Sequence, residues 1–198
     1  MIIRNFGITL SQLTIEDIEL VRYWRNSKEI SSVMEYQKFI TEDEQKKWFY
    51  SLKPLADFYF LINYKGVKVG LIHTSHLNWK DKTADAGLFV WDKNFLGTHI
   101  PVLASLTMLD CFFENFGVEK YFAKVGCKNS VAIRYNRMLG FQLHKKSDDN
   151  NFDFYVLERH IYYKASEKLK KFAATISSEK AQLEAIPELL AEIEKLKN

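Results

Sequence analysis

The sequence predicts an α/β fold, a mixed central β-sheet flanked by helices, with an additional helical extension at its C-terminal end. Three observations predict it. Residues 58–91 hold a succession of β-rich runs, a long apolar helical stripe follows, and two further strand patterns then enclose another helix. The order reads β α α β β β α β α β β. Hydrophobic residues make up 47% of the 198 and aromatics 15%, enough to bury a core and too many for a disordered chain. At roughly 150 residues per domain, the length accommodates one domain with some chain left over.

Each element has a local reason. Met1 to Ser11 carries one short apolar run, read as a single strand. Thr14-Ile-Glu-Asp17 has capping-box spacing before a helix bearing Ile18, Val21 and Trp24 that ends near Asn26. Thr41-Glu-Asp-Glu44 repeats that spacing before Trp48, Phe49 and Leu52, and Pro54 closes the second helix. Phe58 to Asn63 and Val67 to His73 read as a hairpin about Tyr64-Lys-Gly66, and Ala84 to Trp91 as a third strand. After a loop from Asp92 to Thr98, Val102, Leu106, Leu109, Phe113 and Phe116 form a helical core stripe stopped by Gly117. Lys120 to Val125 is a strand. Asn129 to Leu139 is a helix capped by Asn129 and stopped by Gly140, and strands from Phe141 onward pair through a turn at Asp148 to Asn151.

Eight glycines and three prolines form no linker, so residues 1–163 are expected to be one unit. Residues 164–198 form a separate amphipathic helical tail with Leu169, Phe172, Ile176, Leu183, Ile186, Leu190, Ile193 and Leu196 at mostly helical spacing, and Pro187 opens its second segment. The tail is expected to pack on its own domain or on a second copy of the chain, giving a homo-oligomer.

A net charge of +3 without a basic block argues against nucleic acid as the main partner. Two cysteines, Cys111 and Cys127, make no disulfide framework, and no apolar run approaches the roughly 18 residues of a membrane span. The N-terminal run lacks a cleavage signature. A cytoplasmic protein without membrane insertion is expected. His73 and His76 stand three apart on a strand, hence on opposite faces, and no other spacing suggests a metal.

A run of antiparallel strands followed by a β-loop-α-β-α unit places a ligand crevice where the third strand meets its helix. The loop Leu96, Gly97, Thr98, His99 and Ile100 enters that helix, whose free N–H groups and positive dipole end favour a phosphate; one glycine reads equally well as an ordinary turn. Arg25 and Asn26 end the first helix, where Arg25 offers a planar fork to a phosphate or sugar hydroxyl and Asn26 serves as a cap. Tyr36 is a candidate for the acceptor pocket.

The segment Asn129-Ser-Val-Ala-Ile-Arg-Tyr-Asn-Arg-Met-Leu-Gly-Phe141 resembles the Asn-x-x-Ala-Ile-x-x-Tyr-x-x-x-Gly-Phe segment of Gcn5-related N-acetyltransferases, and the likeness extends over residues 6–163. The family's Arg/Gln-x-x-Gly-x-Gly/Ala loop stands here as Leu96-Gly-Thr-His-Ile-Pro101. Leu20-Val-Arg-Tyr-Trp-Arg-Asn26, Met34, Phe39-Ile-Thr41 and Lys47-Trp-Phe-x-x-Leu-Lys53 resemble the branch acting on nucleotide-linked 4-amino-4,6-dideoxy sugars, with Gln45 at that branch's histidine and Cys127 at its cleft carboxylate.

The resemblance implies the GNAT fold and acetyl-CoA as co-substrate. The Leu96–Ile100 loop, Asn129 and Ile133 would hold coenzyme A, and the strand end Leu88, Phe89 and Val90 would hold the pantetheine arm and polarise the thioester. Asp85 would take the amine's proton. The family's proton-donating Tyr falls at Asn136, with Tyr135 one place earlier and so turned by about 100° around the helix. The expected activity is acetyl transfer to a primary amine, preferentially on a nucleotide-linked amino-deoxy sugar, with Arg25, Asn26 and Tyr36 at the acceptor. A protein N-terminal acetyltransferase of the kind acting on ribosomal proteins is the second reading. The third is a non-catalytic relative, motivated by His99, Pro101 and Asn136.

Overall fold

A computed structural model describes residues 1–148 and 151–197. The first apolar run is two strands, β1 (Ile2–Asn5) and β2 (Ile8–Gln12), rather than one. Phe6 and Gly7 between them both adopt positive φ, at 53° and 74°, the handedness a two-residue hairpin requires. A 3-10 turn at Ile15–Asp17 leads into α1 (Ile18–Arg25), and a short α2 (Lys28–Ser31) that the sequence reading lacked precedes α3 (Glu42–Ser51). The box at α3 forms as expected: the Thr41 hydroxyl oxygen accepts from the Glu44 N–H at 3.3 Å while the Thr41 N–H donates to the Glu44 carboxylate at 2.8 Å.

The strands β3 (Phe58–Tyr64), β4 (Val67–Asn78), β5 (Thr83–Val90), β6 (Lys120–Gly126), β7 (Gln142–Lys145) and β8 (Phe152–Glu158) follow, with α4 (Ile100–Asn115) between β5 and β6 and α5 (Ser130–Leu139) between β6 and β7. Asn129 caps α5 through its side-chain oxygen, 3.0 Å from the Ala132 nitrogen, and Gly140 ends it at φ 101°. Part of the turn assigned between β7 and β8, Asp149 and Asn150, lies outside the described residues. The chain continues through α6 (Arg159–Ile176), β9 (Gln182–Glu184) and α7 (Pro187–Lys197).

All of these strands join one nine-stranded sheet in the order β7-β8-β6-β5-β4-β3-β2-β1-β9. Its pairs are antiparallel except β5 with β6. Side-chain alternation divides the sheet into two faces. One face packs with α4 and α6 around Phe58, Phe60, Ile62, Ile72, Phe112 and Tyr121, all at most 1% exposed. The other carries a smaller cluster, Leu13, Ile18, Val21, Leu61, Leu71 and Trp91, beneath α1 and α3.

Two expectations change. The boundary placed after Tyr163 falls inside α6, whose Tyr162, Ser166 and Ala173 are buried on both sides of it, and β9 returns to pair with β1. The amphipathic signal that set the tail apart is the stripe by which it docks on its own core. The Tyr162 hydroxyl donates to Asp110 of α4 at 2.7 Å, and Lys170 pairs with the same carboxylate. The stripe on α4 is also too narrow a description: Leu103, Ala104, Thr107, Met108 and Phe112 are buried as well, because the helix lies between the sheet and α6.

Candidate active site

The site begins where two strands part. β5 and β6 pair in parallel only over Thr83–Asp85 and Lys120–Phe122, and no registered pair follows Asp85↔Phe122. The β6-facing backbone of Ala86 to Val90 therefore has no strand partner, and the gap opens into a cleft of 2320 Å³. One wall is the loop after β5 with the start of α4 and with α5; the other is α1, α2 and α3.

On the α1–α3 side, Asp85, Gly87 and Phe89 alternate outward from β5. Their neighbours on β4 and β3 are His73, Ser75 and Tyr59. The His73 ring stacks on Tyr59 with centroids 4.8 Å apart, its Nδ1 lies 3.1 Å from the Ser75 hydroxyl, and Gly87 leaves it room: a Cβ there would stand 2.6 Å from Nε2. Burial lowers the His73 imidazole to about 4, so it is neutral at neutral pH. Between Ser75 and Asn78 the β4–β5 register shifts by a bulge, and His76 within it adopts φ 51°. The bulge turns His76 back, so that its Nδ1 meets Asp85 Oδ2 at 2.9 Å. Both histidines line the same cleft, contrary to the opposite faces expected from simple alternation. Among the described residues, no group of three or more His, Cys, Asp or Glu is placed to hold a metal ion.

Arg25 lies across the cleft, its guanidinium 5.9 Å from the Phe89 ring centroid, with Nη2 reaching only the Tyr36 carbonyl at 3.5 Å. Its Nη1 is buried without a hydrogen-bond partner, as is Nε2 of Gln45, a residue only 3% exposed. Burial pulls the Arg25 pKa below its ordinary value. Tyr36 lines the same wall. Asn26 does not: its amide donates to the Ile40 carbonyl at 2.9 Å and accepts from the Ile40 N–H at 2.8 Å, which anchors the segment between α2 and α3. Two ion pairs tie this wall to the opposite side, Glu29 to Lys93 at 2.9 Å and Glu35 to Lys124 at 2.5 Å.

On the α4 side, Leu88, Phe89, Val90, Leu96, Gly97, Thr98 and Asn129 line the cleft, as expected of a donor site. His99, Ile100 and Ile133 do not. The His99 ring turns between Tyr64 and Phe172, Ile100 is 1% exposed, and Ile133 packs on the core. The loop's N–H groups divide in the same way. Those of Leu96, Thr98 and Ile100 are taken by Lys93, Phe95 and the Thr98 hydroxyl, whereas those of Gly97, His99 and Val102 have no acceptor among the described residues. The two of these on residues that line the cleft, Gly97 and Val102, fit a pyrophosphate despite Pro101.

Tyr135 is oriented away from acid duty. Its hydroxyl donates to the Pro101 carbonyl at 2.8 Å and lies 2.7 Å from the Ser105 hydroxyl, joining α5 to α4, and burial raises its pKa. Asn136 lines the cleft but donates to the Ala132 carbonyl at 2.8 Å. Cys127 is not among the lining residues, so it does not replace a cleft carboxylate. Cys111 is buried on α4, and burial pushes its thiol up to about 12, far from a nucleophile. His73 and His76 are the site residues that sequence reasoning missed. His73 was accessible from the strand alternation that sets it opposite Gly87, whereas nothing local announces the bulge at His76.

Comparison with known proteins agrees with this geometry. An uncharacterized protein of Methanocaldococcus jannaschii is 26% identical over 155 residues, which span 75% of this chain and 31% of that protein, so the match covers only about a third of this relative's length. FdhC, described as a nucleotide-linked sugar GNAT, superposes with a TM-score of 0.73 at 15% identity, covering 87% of this chain and 98% of its own. Spermidine N-acetyltransferase from Vibrio cholerae, solved with CoA and spermine, superposes at 0.69 with 17% identity over 80% and 99%. These likenesses show the fold. No helix among the described residues is long and apolar enough to cross a membrane. The acetyltransferase (GNAT) domain family matches residues 8–142, from β2 to the start of β7 and across both parted strands, and the chain belongs to that family.

Proposed function

We propose that this chain transfers an acetyl group from acetyl-CoA to a primary amine, preferentially the 4-amino group of a nucleotide-linked amino-deoxy sugar. The observation that carries the acceptor assignment is Arg25, whose guanidinium holds a buried, unpartnered Nη1 in a cleft that the equally unpartnered Gln45 Nε2 also lines. A buried donor without an acceptor costs about 1–3 kcal/mol, more when charged, and a ligand phosphate in this wall removes that cost. The cleft volume of 2320 Å³ exceeds the roughly 300–1,000 Å³ of a single small-ligand site and suits two large substrates meeting at the parted strands. Trp24, Tyr36 and Phe89 give the acceptor wall aromatic faces for a base or sugar ring.

Acetyl-CoA supplies a thioester whose carbonyl carbon is open to an amine and whose sulfur leaves. The chain's own groups do the rest. The N–H groups of Gly97 and Val102 hold the pyrophosphate, and the unpaired edge of Leu88 to Val90 receives the amide-bearing arm as an added strand does. An N–H on that edge polarises the carbonyl. Asp85 and its neighbours receive the amine. With Tyr135 committed to Pro101, the departing thiolate needs no strong acid, since a thiol pKa of about 8.5 makes it a good leaving group.

Calorimetry with acetyl-CoA tests the donor half, and micromolar binding is expected. No binding up to millimolar ligand would return the chain to a non-catalytic role. Acetyl transfer to a UDP-linked 4-amino-4,6-dideoxy sugar, against spermidine and an N-terminal peptide, tests the acceptor half. Arg25→Ala is expected to raise KM for the sugar about tenfold or more while leaving acetyl-CoA binding unchanged. Faster turnover of spermidine or peptide would overturn the sugar assignment.

A further inference from the structure

We propose that His76 and Asp85 form a base-and-orienter pair in which the His76 imidazole takes the acceptor amine's proton and Asp85 fixes that ring. The inference rests on the acetyl-transfer reading and assigns a proton acceptor that the sequence placed at Asp85 alone.

Three observations meet at His76. Its Nδ1 is 2.9 Å from Asp85 Oδ2, a hydrogen bond that sets the tautomer with Nδ1 protonated and leaves Nε2 as an open lone pair. The backbone at His76 is left-handed, φ 51°, inside a strand where a non-glycine residue rarely takes that conformation. Its N–H is held by Asp57 Oδ1 at 3.0 Å, so a second carboxylate maintains the bulge that aims the ring. Other non-glycine residues with positive φ, such as Phe6 and Lys65, lie in hairpin turns, where this conformation is ordinary.

The pair also stands in the right place. Asp85 is the last residue of β5 to pair with β6, at the apex where the strands part and an amine meets the unpaired edge. His76 lines the cleft there with its side chain 78% exposed, accessible to an incoming ammonium. His73 is a poorer choice. Its ring is enclosed between Tyr59 and Gly87, where taking on a charge is unfavourable. The titratable groups facing His76 are Asp85 from β5, Asp57 from the segment before β3 and His73 from β4, and Tyr59 of β3 interacts in turn with Asp57 and Asp85.

The proton account closes. His76 Nε2 takes one proton from the ammonium and passes it to solvent, and the neutral nitrogen forms the C–N bond as the C–S bond breaks. The electron pair leaves on sulfur, and the nitrogen's surplus proton ends on that thiolate. Products are the amide and free coenzyme A.

Two measurements test the pair, one of them without turnover. In 15N-resolved NMR of the imidazoles, His76 is expected to show the Nδ1–H tautomer in the wild type and a rise of the Nε2–H tautomer in Asp85→Ala, where the acceptor on Nδ1 is lost. Identical tautomer populations in both proteins overturn the pairing whether or not any amine is acetylated. With any amine that the wild type acetylates, His76→Gln is expected to lower kcat about 10²-fold or more, with acetyl-CoA affinity kept. A His76→Gln enzyme that keeps kcat overturns the role of His76. Failure of the wild type on every amine instead counts against acetyl transfer itself, and the pairing is then judged by the imidazole tautomer.

Discussion

The two faces of the sheet are built by the same strands and differ in what they tolerate. The face under α4 and α6 is closed and apolar: Phe58, Phe60 and Phe112 are fully buried, with the Phe58 and Phe112 rings edge-on at 5.2 Å. The face under α1 and α3 interleaves its apolar cluster with Tyr59, His73, Ser75 and Asp85, and leaves Arg25 Nη1 and Gln45 Nε2 unpartnered. Alternation along β3, β4 and β5 forces each strand to serve both purposes at once. The difference teaches that one side of this fold is given over to apolar packing, while the other interleaves polar side chains that open a place to bind.

The sharpest break of that comparison is Phe112→Ala, expected to cost about 3–5 kcal/mol in denaturant unfolding. Acetyl-CoA binding by the remaining folded protein should stay intact, and an equal loss of stability from truncating Tyr59 would remove the distinction between the faces. A smaller effect comes from pH. His73 titrates at about 4 in the fold and about 6.5 unfolded, so the unfolded chain binds its proton first. Above pH 6.5 this residue costs nothing, and from pH 6.5 down to 4 it removes up to about 3 kcal/mol, a loss that His73→Gln should eliminate. Stability curves of the two proteins that stay parallel across that window would contradict an enclosed neutral ring. Smallest is Glu29→Gln, which breaks an exposed bridge to Lys93 across the cleft. Unfolding should not change measurably, since such exposed pairs are screened by solvent on both sides.

Much of the closed face was legible because it follows rules of sequence spacing. The Thr41 box, the Asn129 cap with its Gly140 stop and the apolar stripe on α4 each announce themselves within a few residues. β9 did not, being three residues, two of them polar, and existing only because β1 offers an edge. The cleft was partly legible. The family resemblance put Asp85 and Leu88 to Val90 at the cleft that they line, and a helix end placed Arg25. Asn26, His99 and Ile133 were misassigned because the competing partners, Ile40, Tyr64 with Phe172, and the core, come from distant sequence. His76 escaped because a bulge cancels the parity on which alternation depends.

The pairing of β9 with β1 also bears on how the molecule is made. Arg4 and Glu184 form an ion pair across that edge although they stand 180 positions apart, so β1 acquires its outer neighbour only after the whole intervening chain has been synthesised. At roughly 5–20 residues per second, β1 spends some ten seconds or more as a bare edge on the ribosome. During that interval it presents unpaired backbone groups to other nascent chains, a hazard that Arg4 on the strand moderates through its charge. A chain that stalls after α6 would keep that exposure permanently, and its misassembly, rather than any lost chemistry, would be the first sign that β9 is missing.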